Sequence, residues 1–159
     1  MGTKEYYIDT SCDDISHFDS GYAVFNDYLK YRDDSAVVHY VFDAETDKLV
    51  AYFSLIASAL LEGDPAKLYA IPAIELKMFA IDKSCKGTGL SSFFLDGTVE
   101  TIKYYSREYI GAEVIFLYSV PYDYVVQLYE SKGFIRIDDT LTAFKSDFTE
   151  GCVPMFMAI

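Results

Sequence analysis

Seven residues, Lys86-Gly87-Thr88-Gly89-Leu90-Ser91-Ser92, carry the chain from just past a strand-like run into the start of a helix-like run. A helix that opens directly on a glycine turn presents its first N–H groups before any intrahelical acceptor is in place. Those donors lie at the positive end of the helix dipole and suit an anion. Gly87 and Gly89 let the backbone approach a phosphate without a Cβ in the way. Lys83 and Lys86 add positive charge, and Ser91 and Ser92 add hydroxyls. The spacing also fits a plain strand-to-helix turn. It matches neither the P-loop pattern, which needs Gly-Lys-Ser/Thr, nor the GxGxxG dinucleotide pattern.

The elements around this junction are readable. Lys4 to Asp9 alternates as a first strand. Phe18, Tyr22, Phe25 and Leu29 recur as one helical face, with Ser16 as a candidate N-cap and Gly21 as a break within the run. Val37–Phe42 and Leu49–Ile56 read as antiparallel neighbours joined by a turn at Asp43–Lys48. The stretch from Leu61 to Ala73, punctuated by Pro65 and Pro72, reads as loose. Ile74–Asp82 is the next strand. A helix follows from about Leu90 to Glu108, with Leu90, Phe93, Phe94, Val99, Ile102 and Tyr105 as its stripe. Ala112–Val120 is a buried strand. Tyr122–Phe134 holds a short helix whose face is Tyr122, Val125, Val126 and Tyr129, with Gly133 as its stop. Phe134–Asp138 and Cys152–Ile159 form the last two strands. The order β-α-β-β-β-loop-α-β-α-β-β describes a single α+β domain, residues 1–159, around a mixed sheet.

Composition narrows the function classes. Apolar residues make up 52% of the 159, enough for a sizeable core. No run approaches the ~20 apolar residues of a membrane span, and the N-terminal stretch lacks the basic-then-apolar order of a signal peptide. Cys12, Cys85 and Cys152 are odd in number and far apart, with no Cys/His cluster; the expectation is a reducing cytoplasm, no disulfide framework and no metal. The formal net charge of −12 repels a phosphate backbone on average and admits cationic substrates such as amines. On that ground nucleic acid is not an expected partner.

Two segments carry a resemblance. Leu76 to Leu95, with Ala80-Ile81-Asp82 at the strand end and Lys86-Gly87-Thr88-Gly89-Leu90-Ser91 in the loop, resembles the acetyl-CoA signature of the GNAT superfamily of N-acetyltransferases. That signature reads Gln/Arg-x-x-Gly-x-Gly/Ala and opens an amphipathic helix. Leu128-Tyr129-Glu130 with Gly133-Phe134 resembles the family's later Leu-Tyr-Glu…Gly-Phe motif. The two lie in the family's order between Ile74 and Ile137. Upstream, His17–Leu29 and Val50–Leu60 look like the N-terminal half of the GNAT toxins of bacterial toxin–antitoxin pairs. Lys86 stands where the family has Gln or Arg, Ser91 where it has Gly or Ala, and Tyr122 where many members have an Asn that bonds the cofactor.

The resemblance implies a GNAT-like, mostly antiparallel mixed sheet, splayed between its fourth and fifth strands and flanked by helices. It implies acetyl-CoA as co-substrate. Pantetheine would pair with the backbone of Phe79, Ala80 and Ile81, and the pyrophosphate would rest on the N–H groups of Lys86, Gly87, Thr88, Gly89, Leu90 and Ser91. Tyr129 would be the general acid that reprotonates the CoA thiolate; a phenol of pKa near 10 suits that leaving group better than a carboxylic acid. Glu75 resembles the glutamate base of histone-type members, acting through water. His39 reads as structural, and Cys85 lacks a His partner for nucleophilic chemistry. The expected reaction is acetyl transfer to a primary amine of an acceptor the sequence does not name, with homodimerisation common in the family. The alternatives are a toxin-type enzyme that modifies aminoacyl-tRNA, and a non-catalytic acyl-CoA-binding regulatory module. Acceptor loops are expected at Leu60–Ala73 and near Asp138–Gly151.

Overall fold

The computed structural model describes residues 3–64, 66–137, 141–142 and 149–159. The elements run β1 (Tyr6–Asp9), α1 (Ala23–Tyr31), β2 (Val37–Asp43), β3 (Leu49–Asp64), β4 (Lys67–Ile81), a 3₁₀ turn (Lys83–Cys85), α2 (Leu90–Tyr105), β5 (Val114–Ser119), α3 (Asp123–Ser131), β6 (Ile135–Arg136), β7 (Leu141–Thr142) and β8 (Val153–Ala158). The strand order is β1-β2-β3-β4-β5-β8-β6, with β7 paired to β3. β4 and β5 are parallel, while β1–β2, β2–β3, β5–β8, β6–β8 and β3–β7 are antiparallel. The expected mixed, mostly antiparallel sheet is present. The β4–β5 register covers three residues on each strand, Ala73–Glu75 with Val114–Phe116, although β4 runs on to Ile81 and β5 to Ser119.

The chain divides into two compact units, Met1–Ile56 with Lys77–Thr98, and Ala57–Leu76 with Val99–Ile159. In the first, Phe18, Leu29, Val38, Phe42, Leu49, Tyr52, Met78 and Ala80 form one buried cluster. Tyr52 is fully buried, and its hydroxyl donates to the Phe25 carbonyl at 2.7 Å, which ties α1 to the sheet. His39 is buried and stacked on Phe53 at 4.7 Å, in keeping with its structural reading. In the second, Leu60, Ala73, Val114 and Phe116 form a cluster joined by Ile71, Tyr118, Ile137 and Phe156.

Three sequence expectations change. Ser16 does not cap α1: its amide donates to Asp14 Oδ1 at 2.9 Å, and the helix starts only at Ala23 behind Tyr22. Gly21, at φ +84°, holds a left-handed conformation that no helix accommodates, so it ends the irregular lead rather than splitting a helix. Phe18 still reaches the core, from the lead rather than from the helix. The stretch read as loose is strand on both sides: β3 extends to Asp64 and β4 begins at Lys67. Asp64 Oδ1 accepts the amides of Ala66 and Lys67, so the polar residues there make a hairpin turn. Pro72 lies inside β4, and its carbonyl accepts the Glu113 N–H at 2.9 Å; Pro65 lies outside the described residues. Third, α2 ends at Tyr105 and widens into a π turn, Ser106–Ile110, closed by Gly111 N–H on the Ser106 carbonyl at 2.8 Å. Much of the second expected acceptor loop lies outside the described residues.

Candidate active site

The strand end and the glycine loop belong to the first unit. Ala80 and Ile81 are buried and Phe79 is half-buried. Ala80 places its side chain in the core. Asp82 closes the strand. Its amide donates to the Val50 carbonyl, and its carboxylate takes the Asp19 and Ser84 amides at 3.0 and 2.9 Å as well as the Ser84 hydroxyl. The Asp82-x-Ser84 spacing is an Asx turn that starts the 3₁₀ segment.

Gly87 and Gly89 both hold positive φ, +74° and +79°, and a Cβ built on either meets nothing within 4 Å. These glycines are therefore required by backbone conformation, and the space in front of them is open to a ligand. Thr88 turns its hydroxyl back onto the Cys85 carbonyl. At the start of α2 the Phe93 N–H donates to the Gly89 carbonyl at 3.4 Å, so the glycine loop feeds directly into the helix's N-terminal turn.

The lysines of this loop are turned toward the lead of α1. Lys83 Nζ pairs with Asp19 Oδ2 at 2.8 Å. Lys86 Nζ donates to the Ser20 carbonyl and sits over the Tyr22 ring, 4.3 Å from its centroid. Asp19 also accepts the Gly21 amide and the Asn26 side-chain amide. Lys83, then Asn26 and Gly21, hold its carboxyl well below the usual range. This Asp19–Asp82–Lys83 lattice was not anticipated; only the spacing Asp19-x-Gly21, a second Asx turn, hinted at it.

Burial works to raise the Asp82 pKa. The Ser84 hydroxyl and amide, the Asp19 amide and Lys48 outweigh it, so the carboxyl lies below its ordinary value. A carboxylate lowered in the folded state gives stability that is complete above its unfolded pKa and lost as pH falls through the folded value. Asp82→Asn is therefore expected to melt below wild type at neutral pH, with the gap narrowing below roughly pH 4. Melting temperatures from pH 7 to 3 check this; a constant gap would show that the charge contributes nothing.

Tyr129 and Glu75 belong to the second unit. Tyr129 is 8% exposed and burial pushes its phenol pKa above the ordinary value, so the phenol stays neutral through the neutral pH range. The motif residues around it explain its fixed position. Phe134 N–H donates to the Tyr129 carbonyl at 3.2 Å and Gly133 N–H to the Glu130 carbonyl at 3.0 Å, the paired bonds of a Schellman cap. The Phe134 ring meets the Tyr129 ring edge-on at 5.7 Å. Gly133 takes φ +102°, so the expected helix stop is present. Val126 is buried beside Tyr129 on α3, whereas Tyr122, placed with them by periodicity, is 53% exposed and lies at the N-cap, stacked on Tyr124. Glu75 is half-buried on β4, in register with Phe116 of β5. Among the described residues no group of three or more His, Cys, Asp or Glu is arranged for a metal, and no helix is long and apolar enough to cross a membrane.

No protein-family model matches the sequence, and no curated protein matches it. Solved structures do match the fold. A bacterial toxin superposes with a TM-score of 0.74 at 18% identity, over 99% of this chain and 92% of the other. AtaTR bound with acetyl-CoA gives 0.74 at 19%, over 96% and 93%. AtaT complexed with acetyl-methionyl-tRNAfMet gives 0.66 at 18%, over 97% and 95%. The fold is that of the toxin-type GNAT acetyltransferases. Within a GNAT fold the fourth and fifth strands are the pair expected to part, and here they are β4 and β5, whose register stops at Glu75 and Phe116.

Proposed function

We propose that this chain is one acetyltransferase domain that transfers an acetyl group from acetyl-CoA to a primary amine by direct attack. The observation that carries the reading is the end-to-end match in fold to GNAT toxins. The open, positive-φ glycine loop ahead of α2 and the capped, neutral Tyr129 supply the local chemistry that such a reaction needs. The amides from Lys86 to Ser91 take the pyrophosphate, and the backbone of Phe79–Ile81 takes the pantetheine arm. The acceptor ammonium loses a proton, through water, to Glu75. The neutral amine forms the new C–N bond at the thioester carbonyl; the C–S bond breaks, Tyr129 gives its phenol proton to the departing thiolate, and the second proton, shed by the nitrogen as the amide forms, returns through water to the Tyr129 phenolate.

One observation favours a narrower acceptor. A matching structure is AtaT complexed with acetyl-methionyl-tRNAfMet, which makes the amino group of an aminoacyl-tRNA the second reading. The net charge of −12 weighs toward a small amine or a protein amine. Thiol release from acetyl-CoA, measured with a panel of primary amines, peptides and charged tRNAs, separates the readings. Release that depends on one acceptor class identifies it. Binding of acetyl-CoA without release for any acceptor would instead support a non-catalytic acyl-CoA module.

A further inference from the structure

Lys86 opens the glycine loop, yet its ammonium is engaged by another segment. Nζ donates to the Ser20 carbonyl and sits 4.3 Å from the centroid of the Tyr22 ring. Gly21 lies between these two partners. A Cβ built there would come within 3.3 Å of Nζ, so this glycine clears the lysine's approach as well as holding φ +84°. The partners are themselves fixed. Ser20 is 1% exposed; its amide donates to Asn26 Oδ1 at 2.9 Å, and its hydroxyl accepts the Tyr22 amide at 3.1 Å. Asp19 ties the same lead to the strand end, with its amide on Asp82 Oδ1 at 3.0 Å and its carbonyl accepting the Lys83 amide at 2.8 Å. The lead of α1 is thus a firm support, and Lys86 reaches it from the loop. The loop needs one. Gly87 and Gly89 have no Cβ to narrow their backbone choices, and both hold positive φ. α2 fixes the chain at the far end. At the near end the Lys86 amide reaches the Lys83 carbonyl at 3.3 Å, longer than the usual N–H···O range.

We propose that Lys86 is a positioning residue: its ammonium clamps the glycine loop to the lead of α1, through the Ser20 carbonyl and the Tyr22 ring, and is not itself a ligand of the coenzyme phosphates. This rests on the acetyl-CoA reading of the loop and deepens it. Phosphate recognition falls to the backbone N–H groups, and the lysine fixes where they point. A loop held in its binding conformation gains affinity because less freedom is lost when the ligand arrives. Lysine suits the task. Its compact ammonium carries three donors on a flexible stem, so it can face a carbonyl and a π surface together. Lys86 and Tyr22 are both exposed, which makes the attraction that of a hydrated cation–π pair. The rival arrangement is an ammonium that leaves Tyr22 for the phosphates when acetyl-CoA binds. The two differ in sign. Under the clamp, Tyr22→Leu loosens the loop and weakens acetyl-CoA binding. Under the rival, Tyr22→Leu frees the ammonium and strengthens binding or leaves it unchanged.

The test follows the whole protein, labelled with ¹³C-lysine, by NMR, with the Lys86 signal identified as the one missing from Lys86→Arg. Without ligand, the Lys86 ε-methylene protons should lie upfield of those of the other lysines, shielded by the Tyr22 ring. They should return to the ordinary position in Tyr22→Leu and stay shielded in Tyr22→Phe. Saturating acetyl-CoA should leave the shielding of the wild type in place, a readout that depends on no variant folding. Calorimetric titration is the second measurement. Lys86→Met and Tyr22→Leu should each raise the Kd for acetyl-CoA about three- to tenfold, and Lys86→Met should cost less in the Tyr22→Leu background than in wild type. Tyr22→Phe, which keeps the ring, should restore most of the affinity. Shielding lost on saturation, a Kd unchanged in Lys86→Met, a Kd unchanged or lowered in Tyr22→Leu, or additive effects in the double variant would overturn the clamp. The outcome is separable from the parent reading. A wild type that binds no acetyl-CoA overturns that reading and the positioning role with it. A wild type that binds acetyl-CoA with Lys86 unshielded overturns the role alone.

Discussion

Tyr129→Phe is expected to lower kcat about 100-fold while leaving the Kd for acetyl-CoA within twofold of wild type. The substitution removes one oxygen and keeps the ring. That ring is held by the edge-on contact with Phe134, and the backbone of Tyr129 is held by the Phe134 amide, so neither depends on the hydroxyl. Folding stability should change by about 1 kcal/mol or less, the usual net worth of a single hydrogen bond. A loss confined to kcat therefore reports the proton that the thiolate needs. Raising the pH should not rescue the variant, because the defect is a missing donor, not a misprotonated one. Stopped-flow thiol release at saturating amine measures the step. Unchanged turnover would remove Tyr129 from the chemistry and leave it as a core aromatic of the helix cap.

Gly89→Val should act on binding instead. Gly89 holds φ +79°, a conformation in which a β-branched residue is strained by about 1–3 kcal/mol. Its amide and carbonyl lie at the start of α2, and the space where a Cβ would project is open. Valine would either flip the turn or fill the approach to the amides of Leu90 and Ser91. Acetyl-CoA affinity is expected to fall ~10- to 100-fold, since misplacing charge-assisted N–H donors costs about 1.5–3 kcal/mol. Gly97→Ala is the control. Gly97 lies inside α2, its Cβ position is also open, and it has no positive φ. Alanine there should raise stability by about 0.5–1 kcal/mol and leave affinity untouched. Calorimetric titration with thermal melts of both variants checks the contrast. Equal losses of affinity in both would show that the loop conformation is not what holds the ligand.

Much of the fold was legible where a single signal dominated. The β5 run Val114–Ser119, almost wholly apolar, could only be a buried strand, and Gly133 could only end α3. The hairpin of β3 and β4 was hidden because Gly63, Asp64, Pro65 and Pro72 all signal irregularity, while the pairing that overrides them is a tertiary fact. Ser16 failed as a cap because local bonds such as Ser16 to Asp14 compete with helix initiation, and Gly21 then fixes a left-handed turn. The two glycines of the loop were visible. The engagement of Lys83 and Lys86 by Asp19 and Ser20 was not, because it links segments some 60 residues apart in sequence.

The central claim is that the chain binds acetyl-CoA through the loop at Lys86–Ser91. Isothermal titration of the wild-type protein with acetyl-CoA tests it most directly. The account predicts one saturable site per chain, accompanied by a rise in melting temperature and weakened in Gly89→Val. A titration with no heat above dilution, together with an unchanged melting temperature at millimolar acetyl-CoA, would contradict it.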